Sequence, residues 1–285
     1  MRVKLGIVGG IILLGAMVAS AQDQNRLPIQ SDMYCSGIIS DEVVPTDTIL
    51  VTGEYSNTVV TFGQSDYVYI NKGTAQGVKV GDEFIVTRKA TDENKTQWFS
   101  WQDSILHKIG SVWEDEGRLR VVVAQENIST AQVVRSCSYM QRGDIVLPVP
   151  ARPAPVLKPD EKFDRFAPPS GKALAMVLTG KEFHVSMGTN DIAYVNLGSV
   201  QGVKVGDYFR VFRYNGTQTE LAWQPRRQAF EVYGFGSAPS KYKWDTVPRQ
   251  VIGEGIVLRT STNASTVLMT FTLSEVYAGD YVELE

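Results

Sequence analysis

Apolar and polar residues alternate in short runs along most of this chain, and the runs are closed by glycine or aspartate. A period of two is the mark of half-buried β-strands. It predicts strands at Tyr67–Ile70, Glu83–Thr87, Arg118–Ala124 and Ala131–Val134, and again at Gly255–Thr260, Thr266–Thr272 and Tyr281–Leu284. Helical periodicity is nearly absent, and the most helix-like stretch is the short Gln97–Lys108. Many short strands punctuated by turn residues predict an all-β fold of small barrels or sandwiches.

The pattern occurs twice. Asp66–Arg88 (DYVYINKGTAQGVKVGDEFIVTR) and Asp191–Arg213 (DIAYVNLGSVQGVKVGDYFRVFR) match over 23 positions without a gap, at a constant offset of 125. A second pair follows: Ile109-Gly110 heads Ser129–Val146, and Ile252-Gly253 heads Ser265–Val282. Such self-similarity predicts two tandem copies of one β module, residues 51–149 and 172–285. In the shared core, Gly77 and Gly202 allow a positive φ, and Val78, Val80, Val203 and Val205 are expected to point inward. Gly81-Asp82, Gly206-Asp207, Gly143-Asp144 and Gly279-Asp280 read as tight turns, each aspartate accepting from its own turn's amides. A metal or acid–base role is the alternative for these four carboxylates.

This order (a G-x-x-x-GVKVGD-x-F-x-V turn, an Ile-Gly strand, an A-x-V strand, a closing GD-x-V) resembles the small β-barrel at the C-terminus of the flagellar H-ring assembly protein. Related modules occur in exported bacterial envelope proteins. We recognise no counterpart of that protein's N-terminal domains, so a flagellar role does not carry over. The resemblance implies a non-catalytic envelope module that mediates assembly or binding.

Outside the modules, Arg2 and Lys4 precede a charge-free apolar run, Leu5–Val18, and then Ala19-Ser20-Ala21. Residues 1–21 therefore read as a signal peptide, with an uncleaved anchor as the alternative. The run is too short and too glycine-rich for a spanning helix, and no later stretch approaches that length. The exported chain, periplasmic or extracellular, is expected to have no integral membrane span. Residues 22–50 form an N-terminal arm. Pro148–Gly171 holds seven of the twelve prolines, so residues 150–171 are expected to be a semi-rigid extended linker rather than a ligand for a recognition module.

Removing the signal takes Lys+Arg from 28 to 26 against 31 Asp+Glu, a net charge of −5. A mildly acidic chain without a basic cluster lacks the electrostatic footprint of nucleic-acid binding. Cys35 and Cys137, the two cysteines of an exported chain, are expected to form a disulfide tying the arm to the first module. Two buried thiols are the alternative. Cys137 aligns with Leu273, read as a core residue, which points Cys137 inward.

Catalytic chemistry is poorly served. His107 and His184 fall at non-matching positions, and no ligand-spaced cluster, nucleophile elbow or phosphate loop is present. The sequence therefore implies no catalytic residue, metal or cofactor. The Glu114-Asp115-Glu116 run reads as a solvated hairpin tip. Each module carries an insertion, 90–108 and 214–250, and these hold Trp98, Phe99 and Trp101, then Trp223, Tyr233, Phe235, Tyr242 and Trp244. Such aromatics suit an envelope protein partner or a cell-wall glycan. They suit still better a lid folded back over a small barrel that cannot bury enough surface alone.

Overall fold

The structure is a computed structural model that describes residues 27–55, 58–93, 97–159, 163–214 and 248–285. It is all-β. The first sheet runs β2 (Leu50–Gly53), β4 (Tyr67–Ile70), β7 (Ser129–Ser136), β6 (Ser111–Ala124), β5 (Glu83–Lys89), β9 (Ile145–Pro148), with β1 (Ile38–Ser40) on the free length of β6. The second is a closed barrel of β10 (Leu174–Gly180), β12 (Ile192–Val195), β15 (Ser265–Thr272), β14 (Gln250–Thr260), β13 (Tyr208–Arg213) and β17 (Tyr281–Leu284). The two strand orders are the same, element for element. Even the satellite pairs correspond: β3 (Thr61–Phe62) with β8 (Met140–Gln141), and β11 (Ser186–Met187) with β16 (Val276–Tyr277). The first sheet curls until its ends nearly meet, through the bridge Ile49–Ile145 and the bond from Leu50 N to the Asp144 carbonyl.

The duplicated glycine turn behaves alike in both copies. Gly77 and Gly202 follow short 3₁₀ turns at φ of 85° and 83°. Asp82, Asp207, Asp144 and Asp280 accept from the amides of Lys79, Lys204, Gln141 and Tyr277, all three residues upstream. The last two also pair with Arg88 and Arg213. These are fold roles. Val78 and Val203 are buried, but Val80 and Val205 are exposed, because the turn breaks the two-residue alternation.

Register corrects the second sequence match. Val86 pairs with Gly117 and Val211 with Gly253, so Gly117, not Gly110, is the counterpart of Gly253. The offset there is 253 − 117 = 136, the same as 265 − 129 = 136 for the next strand. Ile109-Gly110 instead ends helix α2 (Gln102–Ile109), and the dipeptide match was too short to fix the alignment. Leu273 is exposed rather than core, since it lies just beyond β15. The proline-rich stretch is not a free spacer. Lys158 bonds Glu254 and Glu285, and Ala167 and Phe163 pack on Phe212 and Val251.

Each barrel has its own apolar interior, around Leu119 and Val121 in the first and around Val257 and Val267 in the second. A third cluster belongs to both. It joins Met33, Ile39, Phe99, Ile109 and Val112 to Leu178, Tyr194, Ile256, Leu258 and Leu268.

Candidate functional site

The junction between the barrels is built around the N-terminal arm, which runs from helix α1 (Gln30–Tyr34) into β1. Cys35 and Cys137 form a disulfide with Cα atoms 5.3 Å apart, which ties the arm to the end of β7. β1 pairs antiparallel with β6, Ile38 opposite Trp113. The second barrel holds the arm by its backbone. Tyr194 Oη donates to the Ser36 carbonyl at 2.9 Å, and Thr266 Oγ1 donates to the Gly37 carbonyl at 3.0 Å. Arg259 Nη1 reaches the same Gly37 oxygen at 3.0 Å, and Arg152 Nη1 donates to the Met33 carbonyl at 3.0 Å. Gly37 has φ of +64°, and a Cβ there would lie 2.3 Å from Tyr194 Oη and 2.7 Å from the Trp113 carbonyl. Only glycine fits this contact.

The acidic run Glu114-Asp115-Glu116 is buried in β6 and is not a hairpin tip. By the 136 offset these residues replace Gln250, Val251 and Ile252 of the second barrel, so they occupy strand positions. Asp115 accepts from Gly37 N at 3.0 Å, from both Arg152 Nη atoms at 2.8 and 3.1 Å, and from Arg259 at 3.1 Å. Burial lowers the Arg259 guanidinium to about 10. Glu114 Oε1 accepts from the Glu182 amide of the second barrel, and its Oε2 has no partner among the described residues. Burial raises its pKa. Glu116 is 3.5 Å from Arg88, its Oε2 also lacks a partner among the described residues, and burial pushes its pKa up to about 7. Taking a carboxylate out of water disfavours its charge, and one cation shared with Asp144 does not restore it.

The first insertion is anchored by α2. Gln102 Nε2 donates to the Leu178 carbonyl of the second barrel at 2.7 Å, and its Oε1 accepts from Trp98 N at 2.7 Å. Phe99 is buried in the shared cluster and Trp98 is half-buried against it, whereas Trp101 is 75 % exposed at φ of 75°. Phe99 and Trp98 therefore pack the junction, and Trp101 is presented to solvent. Trp223, Tyr233, Phe235, Tyr242 and Trp244 lie outside the described residues. His107 and His184 are both exposed, on different barrels. Among the described residues no three His, Cys, Asp or Glu side chains converge as a metal-binding group.

Sequence reading missed Gly37, Arg152, Tyr194 and Arg259 as one constellation. The signal was the acidic run itself. Aligning Gly117 with Gly253 sets three acids opposite Gln-Val-Ile, which marks a strand and not a turn. No protein-family model matches this chain, and no curated protein matches its sequence.

Proposed function

We propose that this is an exported, non-catalytic cell-envelope protein that serves as a binding or assembly module. The observation that carries the reading is the pairing of two like β modules through a disulfide-tied arm, beside which Trp101 is presented to solvent. A rigid scaffold that holds an exposed indole at low entropic cost is what a protein partner requires. The disulfide suits an oxidising compartment, and among the described residues no helix is long and apolar enough to cross a membrane. A cell-wall glycan is the second reading, because the same indole offers a flat face to a sugar ring.

Photo-crosslinking from position 101 in exporting cells, run beside co-sedimentation with purified cell wall, tests both. Crosslinks to an envelope protein without co-sedimentation are expected. Co-sedimentation lost in Trp101→Ala would move the assignment to glycan, and the absence of both signals would overturn the reading.

A further inference from the structure

The hydroxyl pair that grips the arm exists twice. Tyr194 on β12 and Thr266 on β15 are direct cross-strand partners, and they donate to two successive carbonyls of the arm, Ser36 and Gly37, the second with φ of +64°. At the offsets of 125 and 136 their counterparts are Tyr69 and Thr130, which are cross-strand partners on β4 and β7. The third member, Arg259 opposite Thr266, is replaced by Val123 opposite Thr130, with the same register shift one residue before it. Tyr69 and Thr130 are half-buried, and their hydroxyls make no hydrogen bond among the described residues. Tyr67 and Val123 beside them are exposed.

Other duplicated residues have fold duties. Gln76 and Gln201 accept from the Gly73 and Gly198 amides, and Asn71 and Asn196 accept from Ile49 and Met176. Among the described residues, the Tyr69 and Thr130 hydroxyls make no such bond. In the second barrel, among the described residues, the hydroxyls of the pair bond the arm's backbone at Ser36 and Gly37.

We infer that the β4–β7 face at Tyr69 and Thr130 docks a glycine-containing peptide segment of a partner protein, as the second barrel docks the arm at Ser36 and Gly37. This rests on the binding-module reading and specifies its partner. The segment's chemistry follows from the arm. Two consecutive carbonyls face the hydroxyls, and the second belongs to a glycine, since a Cβ at Gly37 would strike the tyrosine oxygen. Val123 stands in place of Arg259, so the third contact is aliphatic, while on the other side of Tyr69 the Thr52 hydroxyl accepts from Arg142. Main-chain bonds supply attraction and side-chain pockets supply selectivity, as in other strand-recognition modes.

The probe is a synthetic peptide of residues 31–41 carrying Cys35→Ser, titrated into the isotope-labelled full chain and followed by amide NMR shifts. Saturable shifts confined to residues 67–70 and 129–132 are expected, with none at Tyr194 and Thr266, whose site the arm fills. Tyr69→Phe with Thr130→Val should weaken binding roughly tenfold, the effect of two lost hydrogen bonds, and leave the melting temperature unchanged. Absence of shifts at millimolar peptide, or equal affinity in the double variant, would overturn the assignment. A dimer in sedimentation velocity that the double variant abolishes would give the face to a second copy and also overturn it. If peptide binding fails while crosslinks from position 101 persist, the envelope-binding reading survives without this face.

Discussion

Glu116 shows how one residue departs from its sister copy. The equivalent Ile252 is apolar and packs in the second barrel, while Glu116 is 3 % exposed and carries an oxygen without a partner among the described residues. The folded chain keeps the Glu116 proton up to about pH 7, whereas the unfolded chain releases it near the usual 4.5. The stability this proton contributes is fully present below 4.5 and lost as the pH rises through 7. Arg88 and Asp144 pair with each other, and Glu114 and Lys181 complete the charges around the carboxyl. Glu116→Ile should therefore raise stability at pH 8 by about 1–3 kcal/mol and flatten the decline between pH 5 and 8. Urea unfolding at the two pH values checks this, and a less stable variant at pH 8 would assign the carboxylate a net favourable pairing. The turn aspartates were legible in the sequence because their partners lie three residues away. Glu116 was not, because the alternation that marks a strand says nothing about which residues its ends meet.

At the scale of elements, the arm does work out of proportion to its length. It closes a shared cluster, completes the β6 edge and fills the Tyr194–Thr266 hydroxyl pair. Its disulfide joins residues 102 apart in sequence. Replacing both cysteines by serine should cost about 4–5 kcal/mol in the loop-entropy view, read as a shift of the urea midpoint. Gly37→Ala should cost at least about 2 kcal/mol, from positive φ and from contact with Tyr194, and a thermal melt within a degree or two of wild type would refute the clamp. The first insertion divides the same way. Phe99→Ala should lower stability by about 3–4 kcal/mol, while Trp101→Ala should leave it within about 0.5 kcal/mol. The sequence located the insertion, the disulfide and a helix within it. It could not separate Phe99 from Trp101, because only the helix's docking on Leu178 decides which aromatic faces inward.

At the scale of the molecule, one strand order is used twice, as a curled sheet and as a closed barrel, joined through a shared apolar cluster. The repeat made the architecture legible, since an offset of 125 through the turn fixes like topology in both sheets. The contact between copies was not legible, because it joins unlike faces. The second barrel offers the Tyr194 face, and the first offers the arm, α2 and the end of β6. A module cut at residue 171 would expose Leu178, Tyr194, Ile256 and Leu258, which burial otherwise stabilises by roughly 1.5–3 kcal/mol per side chain. Calorimetry of the oxidised full chain measures whether the barrels are one cooperative unit. A single transition with equal calorimetric and van't Hoff enthalpies is expected, and two resolved transitions, unmoved by Gly37→Ala, would contradict it.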